Sequence, residues 1–236
     1  MSTRRKRTAI LISGRGSNMA ALIEAASDPV FPCEIVTVIS DQAEAPGLTI
    51  AASRGIFTQV IARGNFADKA AHDAAIDAAL AGFGAEIVAL AGYMRVLTTP
   101  FVEKWLGRLI NIHPALLPSF TGLDTHRRAL QAGVRIHGCS VHFVTAQVDN
   151  GPIIAQAAVP VLAGDNEQTL AARVLKAEHQ LYPQALRLVA EGRAQIVNGR
   201  TVFDLAGAAE RGASTLIAPD LRPLAENLED LARFTP

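Results

Sequence analysis

The alternation of short, β-rich apolar runs with stretches of helical periodicity restricts this chain more than any other feature. Residues 8–12, 34–39, 86–91 and 109–113 are brief, apolar and bounded by turn residues, as buried strands are. Between them lie helical patterns at 19–26, 47–54 and 66–81. In the last of these Ile76, Leu80 and Phe83 keep helical spacing, Asn65 is placed to cap the start, and Gly55 follows the preceding helix where a C′ glycine belongs. Strand–helix–strand repetition demands parallel pairing with right-handed crossovers. The expectation is therefore an α/β fold, a mostly parallel twisted sheet with helices on both faces.

The pattern changes after the fourth run. Residues 136–145 and 153–159 read as further strands, and 166–190 carries Leu170, Val174, Ala177, Leu181, Ala185 and Leu188 at steps of three and four, the stripe of a docked helix. Asn198-Gly199 between 195–197 and 200–203 signals a hairpin, because a type I′ turn needs positive φ at both central positions. Leu224, Leu228 and Leu231 suggest a short tail helix. No repeat or low-complexity linker divides the chain. The expected organisation is a basic N-terminal extension (1–7), a catalytic domain (8–190), and a hairpin and tail packed on it (191–236).

Composition narrows the function. Lys plus Arg and Asp plus Glu number 22 each, so no global field recruits nucleic acid or an anionic membrane. The one basic cluster, Arg4 to Arg7, reads as a solvated end. No run approaches the roughly 18 apolar residues of a membrane span. Cys33 and Cys139 lack C-x-x-C spacing and read as reduced, buried thiols of a cytoplasmic protein. No histidine or cysteine cluster has zinc spacing, and no metal is expected.

Two segments carry chemistry. The first strand runs into Ser13-Gly14-Arg15-Gly16-Ser17-Asn18 and directly into a helix, a junction whose free N–H groups and helix dipole suit an anion. Position 19 is Met, so the third glycine of a dinucleotide loop is missing, and no G-K-[ST] follows. A phosphate is favoured over a dinucleotide or nucleoside triphosphate; a tight turn capped by Ser17 or Asn18 is the bland alternative. In the second segment, Asn111 and His113 share one face of a strand while Ile110 and Ile112 enter the core opposite. Pro114 ends regular pairing, so the pair stands at the strand's carboxyl end, where open α/β sheets bind ligands. An amide beside an imidazole suits an oxyanion on a tetrahedral carbon. Asp149, before Asn150-Gly151, is ordinary turn chemistry unless it lies near His113, where a carboxylate would hold the imidazole protonated. Spacing alone leaves that open.

The stretches ISGRGSNM (12–19), LAGYMRVL (90–97), LINIHPALLPSFTGLDTH (109–126), HGCSVHFVT (137–145), DNGPII (149–154) and AEHQLYP (177–183) resemble, in order, the motifs of the folate-dependent formyltransferases. The resemblance reaches from about residue 8 to about residue 190. It is strongest to the branch of purine biosynthesis that formylates glycinamide ribonucleotide.

That resemblance implies a Rossmann-like formyltransferase fold and 10-formyltetrahydrofolate as co-substrate. Direct transfer to the primary amine of 5-phosphoribosylglycinamide would pass through a tetrahedral intermediate. It implies Asn111, His113 and Asp149 as the catalytic trio. Gly16, Ser17 and Asn18 would hold the substrate phosphate, and Glu178 the glycinamide. Met94, Arg95, Val96 and Leu97 would form the folate pocket with Asn111, and Lys69 would stand near the folate. Leu175 departs from the pattern, since a polar phosphate contact often stands there. His126 and His142 lie in matching stretches but are assigned no chemistry, and His72, His137 and His179 are expected to be structural or at the surface. Small molecules are the expected partners, without nucleic acid or membrane, for a monomer or homodimer. Formyltetrahydrofolate hydrolase is the nearest alternative, but it usually carries an N-terminal regulatory domain, and here the loop begins within about a dozen residues of Met1. Methionyl-tRNA formyltransferase needs a basic C-terminal domain that the tail lacks. A binding module without catalysis would have no use for the trio.

Overall fold

The computed structural model describes residues 4–204. A seven-stranded sheet runs in the order β3-β2-β1-β4-β5-β6-β7. Its strands are β1 (Lys6–Ile12), β2 (Cys33–Ser40), β3 (Thr58–Val60), β4 (Ile87–Leu90), β5 (Leu109–His113), β6 (Ile136–Phe143) and β7 (Ile153–Pro160). The first five are parallel to one another, whereas β6 and β7 are antiparallel additions at one edge. The helices are α1 (Ser17–Ala26), α2 (Pro46–Ser53), α3 (Lys69–Gly82), α4 (Thr99–Lys104), α5 (Thr125–Gln131) and α6 (Glu167–Ala190). This is the mostly parallel, Rossmann-like sheet that the alternation predicts.

Alternate side chains of β1 show why both faces are covered. Ile10 and Ile12 join one apolar cluster with Leu22 of α1 and Val174 and Tyr182 of α6. Ala9 and Leu11 join a second with Ile76 and Leu80 of α3 and Phe101 of α4. A strand buried on both sides cannot alternate apolar and polar, hence its continuous apolar run. The fully buried Tyr182 donates from its hydroxyl to the carbonyls of Leu90 and Ile110, at 3.0 and 3.3 Å, so α6 is tied to the ends of β4 and β5.

The hairpin forms as the turn chemistry predicts: β8 (Ala194–Val197) and β9 (Arg200–Phe203) flank Asn198 and Gly199, at φ 50° and 73°. Gly55, at φ 75°, takes the C′ position after α2. Several expectations are corrected. Asp68, not Asn65, caps α3, its carboxylate accepting from the Ala71 N–H at 2.8 Å, and Asn65 closes a short 3-10 turn before it. The edge strand β3 and the short helices α4 and α5 were not expected. The basic cluster is not a solvated extension. Lys6 and Arg7 already belong to β1, Arg5 donates to the carbonyls of Ala26, Phe31 and Cys33, and Arg7 donates to the Phe83 carbonyl at 2.8 Å. The expected tail helix lies outside the described residues.

Among the described residues, no helix is long and apolar enough to cross a membrane. The strand order reverses between β1 and β4. Loops leaving these strands diverge there, opening a crevice at their carboxyl ends.

Candidate active site

Asn111 and His113 leave β5 toward this crevice. Antiparallel register sets Asn111 opposite His142 and His113 opposite Ser140. The Asn111 amide Nδ2 lies 3.2 Å from His142 Nε2, and His142 Nδ1 lies 2.9 Å from the Phe143 carbonyl oxygen. A carbonyl only accepts, so Nδ1 carries the hydrogen and Nε2 accepts from the amide. Burial pushes the His142 pKa down, which keeps the ring neutral, against smaller opposing effects of the Phe143 carbonyl and Asp149. Asn111 is thereby held in one amide orientation.

His113 is buried, with Nε2 at 2.9 Å from the Phe120 carbonyl and Nδ1 at 3.4 Å from Asp149 Oδ2. Both ring nitrogens thus face oxygen atoms that can accept a hydrogen bond. Asp149 occupies a left-handed backbone position, φ 52°, and its Oδ2 also accepts from the Gly122 N–H at 2.8 Å. Gly151 fixes the height of that turn: a Cβ there would stand 1.7 Å from the Phe143 carbonyl oxygen. Only glycine lets the turn close against the end of β6, which carries Asp149 to His113 across 36 positions of sequence. The proximity left open by spacing is present in the structure.

The loop after β1 meets the same crevice. Gly16 is the N-cap of α1 at φ 71°, and no side chain caps the helix, so neither Ser17 nor Asn18 takes the bland capping role. The first-turn N–H groups have no intrahelical acceptor and remain free to bind an anion. A Cβ on Gly16 would come within 3.0 Å of the Gly47 Cα, while one on Gly47 would meet the Ile12 side chain at 2.6 Å. The two glycines let α2 pack directly on the loop. Asn18 turns inward instead and donates from Nδ2 to Glu178 Oε2 at 2.7 Å. Glu178 is buried on α6, and its pKa is raised by that burial, with Asn18 and the charge of His113 opposing. It lies against the β1–α1 loop through Asn18 and within electrostatic reach of His113.

The segment after β4 forms another wall. Met94 and Val96 are 67 % and 52 % exposed, whereas Tyr93 and Leu97 are buried. Exposed apolar side chains on the rim of a polar crevice suit a flat ring more than a solvated loop. Arg95 donates from its guanidinium to His72 on α3. Lys69 stands apart, exposed at the first turn of α3. Leu175 is on α6 one turn before Glu178 and offers no polar atom.

Sequence reasoning missed two contributors. His142 was given no chemistry, yet it meets the Asn111 amide; the signal is absent from sequence because it depends on antiparallel register. The other is Asp73, buried on α3 beside His72, which is itself buried in keeping with the structural role expected of it. His126 and His137 pack edge to face at 5.3 Å, and burial pulls His137 down to about 4, so both are neutral packing groups. Among the described residues, no group of three or more His, Cys, Asp or Glu converges as a metal site would require.

Residues 6–186 match the formyl transferase family model. The chain belongs to the formyl transferase family. Within that family it is 44 % identical over 78 % of its length to phosphoribosylglycinamide formyltransferase of Escherichia coli, of which it covers 87 %. The crystal structure of phosphoribosylglycinamide formyltransferase from Brucella melitensis is 58 % identical, with a TM-score of 0.77, across 83 % of this chain and 100 % of that one. The trifunctional purine biosynthetic protein adenosine-3 of Bos taurus is 50 % identical over 84 % of this chain, but this chain spans only 20 % of its length.

Proposed function

We propose that this formyl transferase family member moves the formyl group of 10-formyltetrahydrofolate to the primary amine of 5-phosphoribosylglycinamide, giving formylglycinamide ribonucleotide in purine biosynthesis. The observation that carries this reading is the meeting of Asn111, His113 and Asp149 at one end of β5, joined to the Gly16–Asn18 loop through the Asn18–Glu178 hydrogen bond. The names of the relatives supply the substrates.

In this mechanism the loop of Gly16, Ser17 and Asn18 binds the phosphate, and Glu178 accepts hydrogen bonds from the glycinamide. Met94, Arg95, Val96 and Leu97 offer backbone and apolar surface to the pterin, next to Asn111, with Lys69 answering the acidic end of the folate. The amine attacks the formyl carbon. Asn111 and cationic His113 donate to the oxyanion of the tetrahedral intermediate, and Asp149 holds the imidazolium in place. The proton of the attacking nitrogen passes to the departing folate nitrogen through water. Holding both substrates in one crevice removes the entropy of encounter from the barrier. The Phe120 carbonyl accepts from His113 and the Gly122 N–H donates to Asp149, so His113 must exchange its Phe120 bond for the formyl oxygen. The reaction needs no metal, membrane or nucleic acid, and suits a cytoplasmic monomer or homodimer.

The test mixes protein, 10-formyltetrahydrofolate and glycinamide ribonucleotide and follows folate absorbance. Turnover that requires the ribonucleotide is expected. Equal turnover without it would replace the transferase by a hydrolase, and binding of both ligands without turnover would leave a binding module.

A further inference from the structure

We infer that His72 and Asp73, on the face of α3 opposite solvent, are positioning residues that strap the segment Tyr93–Thr98 into its working shape. The inference rests on the reading of Met94–Leu97 as the folate wall and extends it to residues that touch no substrate.

α3 is an alanine-rich helix, yet it buries two adjacent polar side chains, His72 at 0 % and Asp73 at 2 % exposure. Burying such groups is unfavourable unless each finds a partner, and an apolar residue would serve the core better. Each finds a partner in the one segment, although Asp73 Oδ1 keeps none. Asp73 Oδ2 accepts from the Thr98 backbone N–H at 2.7 Å. His72 Nε2 lies 2.7 Å from the Ile61 carbonyl oxygen, so this nitrogen carries the hydrogen and Nδ1 is a bare acceptor. The Arg95 guanidinium donates to that Nδ1. Phe66 packs edge-on against the imidazole with centroids 5.2 Å apart and keeps it from turning.

Arg95 and Thr98 are thus tied to α3, while the Met94 N–H donates to Ser13 Oγ at 2.9 Å. Three attachments surround Val96, which remains half-exposed at 52 %. A flexible loop would have to be ordered by each incoming ligand, and prior ordering removes that penalty from binding. Arg95 therefore anchors the segment through His72.

The experiment compares the parent enzyme with His72→Phe, which keeps the ring volume and removes the acceptor, and with Asp73→Ala and Asp73→Asn. Asn retains an oxygen for the Thr98 N–H. Two measurements are made on each: amide hydrogen exchange across residues 93–98, and KM for both substrates with kcat. His72→Phe and Asp73→Ala should speed exchange in the segment and raise KM for 10-formyltetrahydrofolate about tenfold, the scale of one charge-assisted hydrogen bond, with kcat and the ribonucleotide KM within about threefold of the parent. Asp73→Asn should restore the parent behaviour. Unchanged exchange at 93–98 in folded variants overturns the strap, as does an equal rise in both KM values. Faster exchange with an unmoved folate KM keeps the strap and overturns instead the folate placement beneath it. Should His72→Phe fail to fold, the Asp73→Ala and Asp73→Asn pair decides alone.

Discussion

The side chains of Asp149 and His113 are held together by one short segment: the Gly122 N–H donates to the carboxylate and the Phe120 carbonyl faces the imidazole. A pair assembled this way should fail as a unit. Asp149→Asn keeps the shape and an acceptor but removes the charge, and the rate at neutral pH should fall by at least ~10², the scale of one lost oxyanion-stabilising donor. His113→Ala should be comparably severe, and the double variant much less damaged than the product of the two. Steady-state rates of the parent, the two single variants and the double variant check this. Multiplicative losses would end the coupled-pair mechanism. Asn111 tests a separate arm, since His142 holds its amide. His142→Phe should lower kcat by about tenfold, one oriented hydrogen bond lost, with both KM values little changed; a loss confined to KM would mean that His142 serves binding and not orientation.

At the scale of elements, α6 does two jobs whose demands conflict. Its apolar stripe docks on the sheet, and Glu178 interrupts that stripe with a carboxyl whose pKa burial has raised. A raised folded-state value means that folding is favoured while the group is protonated, and that this contribution is lost as pH climbs from the ordinary 4.5 through the raised value. Glu178→Gln, neutral at every pH and still able to accept from Asn18, should therefore raise Tm at pH 8, with the advantage vanishing near pH 4. It should also raise KM for the ribonucleotide about tenfold, because the charged acceptor for the amine is gone. Thermal melts at the two pH values and steady-state kinetics measure both; a lower Tm at pH 8 would show that the charge stabilises the fold. Local chemistry made most elements readable. Leu109–His113 coincides with its expected bounds because Pro114 stops it, and Asn198-Gly199 fixed the hairpin. The edge strand Thr58–Val60 was missed since three residues carry no period, and α4 and α5 are too short for a stripe. What escaped at the site, the His142–Asn111 contact and the α3 strap, depends on register and packing between distant segments, which no local pattern encodes.

The whole molecule joins a parallel half, β1 to β5, to an antiparallel edge, β6 and β7, and the His113–Asp149 pair spans the seam. Every positioning contact described lies before residue 190, so a chain ended after Asp204 should remain folded and retain near-normal turnover; a folded but inactive truncation would give residues 205–236 a part in the site. Whether the two halves open together can be read from the two free thiols. Cys33 opens β2 in one half, Cys139 lies within β6 in the other, and both are fully buried in the same apolar cluster. Burial pushes them up to about 11 and about 12, so thiolate, the reactive form, is scarce in the native state near neutral pH. Labelling then reports opening of the fold. In a single cooperative unit both thiols should label at one rate equal to that of global unfolding, in any denaturant concentration below the transition. Mass spectrometry of partly labelled protein should find unlabelled and doubly labelled chains with few in between. A population labelled at Cys139 alone would show that the antiparallel edge opens separately, and that the seam carrying His113 and Asp149 is where the molecule first comes apart.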